Sequence, residues 1–62
     1  MSKKDYELIA DAISGTIAEA ARRGEDITSV MYDLAENLSV GLEMDNSKFN
    51  FETFLKACGL PE

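Results

Sequence analysis

Residues 27–44, ITSVMYDLAENLSVGLEM, carry the pattern that decides the fold. Projected at about 100° per residue, Ile27, Met31, Leu34, Leu38, Gly41 and Leu42 gather on one side of a helix. Ser29, Asp33, Glu36, Val40 and Glu43 gather on the other. The spacing predicts an amphipathic helix with one face buried and one acidic. The stretch holds no Lys or Arg to offset its acids. The segments on either side each carry an apolar stripe able to cover the buried face.

Upstream, Ser2 reads as an N-cap with Asp5 at N3, a capping box with Asp in place of the usual Glu. Asp5 and Glu7 lie near the start of this first helix, and Arg22 and Arg23 near its end, which suits the helix dipole at both ends. Gly24 supplies the stop. Between them, Tyr6, Ile9, Ala10, Ile13, Thr16, Ile17, Ala20 and Ala21 form one broad face to be buried. On the opposite side Leu8, Ala12 and Gly15 lie together, flanked by Asp11 and Glu19. That side is either covered by the third segment, left as scattered surface apolar residues, or used as a second packing surface.

Asp26 is the expected N-cap of the second helix, with Glu25 adding charge at its positive end. So short a connection predicts an αα-hairpin of helices one and two. Gly41 falls on the predicted buried face, where Ala would favour the helix by about 1 kcal/mol. Its expected use is to admit a bulky side chain, such as a phenylalanine of the third segment, with a kink as the alternative.

Asp45-Asn46-Ser47 ends the second helix as a turn cluster. It does not continue as a calcium loop, because Phe49 stands where an oxygen ligand is needed and Asn50 where the invariant glycine belongs. Asn50 instead reads as the N-cap of a third helix, Phe51 to Cys58, stopped by Gly59 with Pro61 just beyond. Phe49 and Phe54 have the spacing of a hydrophobic staple. Phe51, Phe54, Leu55 and Cys58 are at core spacing. A helix this short is unstable alone and has to dock on the hairpin. The whole chain, residues 1–62, is therefore predicted to be one small all-α domain, a three-helix bundle made of an αα-hairpin and a short C-terminal helix.

The composition narrows function mostly by exclusion. A chain of 62 residues holds a marginal core, and domains this size often need disulfides, metals or self-association. Cys58 is the only cysteine and there is no histidine. An intrachain disulfide is thus excluded, as is the usual structural zinc site. Efficient packing or a homo-oligomer remains.

Nucleophilic catalysis at Cys58 lacks a histidine base, and the end of a helix does not lower a thiol pKa. Asp33, Glu36 and Glu43 share a face but are spread too far along it to reach one metal ion. No catalytic, cofactor-binding or metal-binding residue is expected. Twelve acids against six bases give a net charge of −6, which opposes direct nucleic-acid binding and suits a basic protein partner or plain solubility. No secretory signal or membrane-length apolar run is visible, and a cytoplasmic setting is expected.

The acidic face of the second helix is the one surface with a functional character. Asp33, Glu36 and Glu43 surround Val40, with Tyr32 at the edge. Acids around an aliphatic and an aromatic side chain fit a basic, partly apolar groove on another protein.

The two ends of the chain, KKDYELIADAI (residues 3–13) and FNFETFLKACG (residues 49–59), resemble short helical proteins of phages and mobile elements. Members of that group pair a KKDFELIA-like start with an F-x-x-x-x-F-x-x-A-C-G end. The resemblance spans roughly half the chain, is weakest in the middle, and brings no catalytic residues with it. It implies a phage-type protein in the host cytoplasm. The expected function is then a non-enzymatic protein-binding module: an inhibitor of a host nucleic-acid-handling or defence machine, acting in part by DNA mimicry through Tyr32, Asp33, Glu36, Val40 and Glu43. The alternative is a structural or regulatory homo-oligomer, joined through Leu8, Ala12 and Gly15 or through swapped C-terminal helices.

Overall fold

A computed structural model describes residues 2–61. Helices α1 (Lys3–Arg22), α2 (Thr28–Asp45) and α3 (Phe51–Cys58) follow in order, with no strand among the described residues. The chain is a small all-α three-helix bundle, as its periodicity predicts.

The helix ends form where the local chemistry places them. The Asp5 carboxylate accepts hydrogen bonds from the Ser2 backbone N–H (2.7 Å) and the Ser2 hydroxyl (3.2 Å). These bonds, the backbone one foremost, hold the Asp5 carboxyl below its ordinary value. At the other end of α1, Gly24 takes φ +78°. This lets Glu25 N–H reach the Ala20 carbonyl and Gly24 N–H the Ala21 carbonyl, the paired bonds of a Schellman stop. Gly59 repeats the device after α3 at φ +77°, with Leu60 N–H on Leu55 and Gly59 N–H on Lys56. That turn aims Leu60 inward, where it is buried in the core.

At the start of α2 the cap position falls to Ile27, one residue later than predicted. Asp26 still serves the helix start, because its carboxylate accepts the Thr28 N–H at 3.0 Å. Hydrogen bonding from the Thr28 side chain, and then from its backbone N–H, holds the Asp26 carboxyl low. At α3, Asn50 accepts from the Thr53 N–H at 3.1 Å. The Phe49 and Phe54 rings meet at 5.5 Å between centroids, completing the predicted staple.

The core joins Ala10 and Ile13 of α1, Ala35 and Leu42 of α2, and Phe54, Leu55, Cys58 and Leu60 at the C-terminal end. Tyr6, Ile9, Ile17, Met31, Leu38, Phe49 and Phe51 pack around it, partly buried. The closest helix pair is α1 with α3, and α2 touches both of them more sparingly. The short connection therefore does not make α1 and α2 the dominant hairpin. The reason is chemical: α3 brings Phe54, Leu55 and Cys58 in eight residues, whereas the innermost α2 position, Ala35, is a single methyl group. α3 docks within its own chain, on both α1 and α2.

Two positions of the predicted buried faces turn out differently. Leu34 is 42% exposed, and Gly41 lies at the surface, where a methyl group in place of its hydrogen would find nothing within 4 Å, so no phenylalanine enters there. The buried sector of α2 runs instead through Met31, Tyr32, Ala35, Leu38, Ser39 and Leu42, centred on Ala35. The Tyr32 ring meets Phe51 at 6.4 Å, nearly edge-on, and this contact turns α2 away from the Leu34 side. On α1, Thr16 and Ala21 are exposed, and the Thr16 hydroxyl donates to the Ala12 carbonyl at 2.8 Å.

Candidate protein-binding surface

Centring the buried sector on Ala35 sends Asp33, Glu36, Val40 and Glu43 outward, all four exposed. They occupy one side of α2, and from Asp33 to Glu43 they run about 15 Å along the axis. Arg23 pairs with Glu25 at 2.9 Å and with Glu19 at 3.7 Å. Among the described residues Asp33, Glu36 and Glu43 make no ion pair. α2 itself carries no cationic side chain to neutralise them. Val40, 62% exposed, gives this surface an apolar centre.

Tyr32 is the predicted contact residue that the fold uses differently. It is half-buried and held by Phe51, with only part of the ring at the surface. The acids and Val40 are thus brought together, while Tyr32 supports the helix from the inner edge.

Sequence reasoning missed the breadth of the apolar surface on α2. Val30 (63% exposed), Leu34 and Met44 (84%) all face outward beside the acidic side. The signal was present in the sequence, since the apolar residues of α2 cover more than half its circumference and one interface cannot bury them all. Leu8 on α1 is exposed too, as are Ala12 and Gly15, so α3 does not cover that side.

Elsewhere, a cleft of about 270 Å³ lies between the first turn of α1 and the α2–α3 connection, floored by Tyr6, Phe49 and Phe54 and rimmed by Lys3, Glu7 and Lys48. It falls below the usual range of about 300–1,000 Å³ for small-molecule sites and includes none of the acidic-face residues. Beside it the Tyr6 hydroxyl is buried without a hydrogen-bond partner among the described residues. Cys58 is fully buried, and burial pushes its thiol pKa up, away from the thiolate a nucleophile needs. Among the described residues no three acids or thiols converge as a metal site, and no helix is long and apolar enough to cross a membrane. Compared with known proteins, the chain matches no protein family, no curated protein and no solved structure.

Proposed function

We propose that the protein is a non-enzymatic binding module that docks the acidic face of α2 on a basic protein. The observation that carries this reading is the unneutralised set Asp33, Glu36 and Glu43, exposed around Val40 on one side of a single helix. A basic, partly apolar groove complements it: the acids steer the encounter, and Val40 supplies the desolvated centre. The phage-type ends of the chain suggest the setting, a host cytoplasm in which the target is a nucleic-acid-handling or defence machine. Acids spaced along a helix then stand in for the phosphates that such a machine binds. In this reading no catalytic group and no cofactor take part.

The experiment is capture of the target from host lysate by the tagged protein, followed by binding of the purified target at two salt concentrations. Glu36→Arg combined with Glu43→Arg should abolish binding at low salt, and raised salt should weaken the wild-type complex markedly. Binding that survives the double reversal at low salt overturns the acidic-face reading. The exposed apolar residues of α2 favour a second reading, self-association, which the same salt series separates because an apolar contact does not weaken with salt.

A further inference from the structure

The cleft between the first turn of α1 and the α2–α3 connection differs from the exposed apolar residues of α2 in being concave and in carrying its own charge pattern. Its floor is a row of three aromatic rings, with Phe49 between Tyr6 at 5.4 Å and Phe54 at 5.5 Å. Phe54 is committed to the core, whereas Tyr6 and Phe49 are only half-buried, and both line the cleft.

The rim reverses the charge balance of the chain. Twelve acids stand against six bases overall, but here Lys3 and Lys48 face a single acid, Glu7. Among the described residues neither lysine is in an ion pair. Two carboxamides that also line the cleft extend the pattern. The Asn46 side-chain oxygen accepts the Lys48 N–H at 3.0 Å, and that of Asn50 accepts the Thr53 N–H at 3.1 Å. With those oxygens engaged, each carboxamide keeps its NH2 group as a donor. An apolar floor under a rim of cations and N–H donors is complementary to an apolar group with carboxylates beside it.

We propose that this cleft docks a peptide segment of a partner protein in which one aromatic side chain is flanked by acidic residues. A volume of about 270 Å³ takes a single aromatic side chain, whereas sites that enclose whole small molecules are larger. The aromatic ring of the segment adds a fourth member to the tilted row Tyr6, Phe49 and Phe54 and serves as its anchor. The acids on either side of it meet Lys3 and Lys48. This inference goes beyond the acidic-face reading, uses none of its residues and does not depend on it.

The test is a titration of the isotope-labelled chain, followed by the shifts of its amide NMR signals, with the probe acetyl-Asp-Phe-Asp-amide. So short a probe should bind with a dissociation constant of about 1 mM and move the signals of residues lining the cleft. Acetyl-Asp-Ala-Asp-amide, which lacks the anchor, should bind at least about tenfold more weakly. Acetyl-Lys-Phe-Lys-amide should bind about fivefold or more weakly than the acidic probe, and Lys3→Glu combined with Lys48→Glu should reverse that preference. Both lysines are exposed, so the double variant keeps the fold, which its circular dichroism spectrum checks. The Glu36→Arg, Glu43→Arg variant should bind the probe like wild type, so failure here is distinct from failure of the acidic-face reading. No saturable shift at the cleft up to about 10 mM probe overturns the proposal. So does equal affinity for the acidic and basic probes, or tighter binding of free 3-phenylpropionate than of the peptide, which would make the cleft a site for small aromatic acids.

Discussion

The rotation of α2 about its own axis decides which side chains reach solvent, and a pair of neighbouring residues tests it. Ala35 is fully buried, whereas Leu34 keeps 42% of its surface exposed. Leu55 is 2% exposed and sets the scale for a core leucine. Truncating Leu55 to alanine removes three buried carbons at about 0.8 kcal/mol each and leaves a cavity, for a total of about 3–4 kcal/mol. Leu34→Ala loses little more than half of that transfer term and leaves no cavity, since the site is open, for about 1 kcal/mol. Ala35→Leu forces three extra carbons into a closed site and should cost about 1–3 kcal/mol. A domain of this size is stable by roughly 3–9 kcal/mol, so these differences are large against the whole. Urea unfolding followed by circular dichroism reads them directly. At a slope near 1 kcal/mol per molar urea, the midpoint should fall by about 3 M for Leu55→Ala and by about 1 M for Leu34→Ala. If Leu34→Ala costs as much as Leu55→Ala, or Ala35→Leu costs nothing, α2 is turned the other way and its acidic face is not where it has been placed.

Three further outcomes follow from single groups. Tyr6→Phe removes a buried hydroxyl that has no partner among the described residues, so it should leave stability unchanged or raise it by up to about 1 kcal/mol in the same urea assay. Asp5 and Asp26 both have carboxyls held below the ordinary 3.8. Their folded-state values are depressed, so their stabilisation is present above the unfolded value and is lost as pH falls through the folded one. The double variant Asp5→Asn, Asp26→Asn should be less stable than wild type at pH 7 and lose less stability on acidification below about pH 4. An unchanged pH–stability profile would count against both caps. Cys58 is buried with its thiol pKa raised, so a thiol reagent at pH 8 should modify it only as fast as the bundle opens, and Leu55→Ala should speed that reaction.

The parts of the fold legible in the sequence are those set by local chemistry. The Ser2–Asp5 pairing, the glycine stops at 24 and 59, the Asn50 cap and the Phe49–Phe54 staple each depend on residues a few positions apart, and each forms. What the pattern could not fix was the rotation of α2. Its apolar residues span more than one face, and periodicity alone ranks Leu34 and Gly41 with Met31 and Leu38. The choice is made at a distance, by Tyr32 against Phe51 and by Ala35, whose small side chain admits close approach to the other helices. The preference of α1 for α3 is set the same way, since it depends on how much bulk each helix brings and not on connection length. The exposure of Asp33, Glu36, Val40 and Glu43 was legible because they fall outside both the predicted and the observed buried sector of α2.

That the acidic face of α2 is a docking surface is tested most directly by one binding curve. The captured target is titrated with the wild-type chain and with the Glu36→Arg, Glu43→Arg variant, at about 50 mM and about 500 mM salt, a range over which screening changes severalfold. Strong wild-type binding at low salt, weakened at high salt and absent in the variant, is the predicted result. Equal affinity of the two chains at low salt contradicts it.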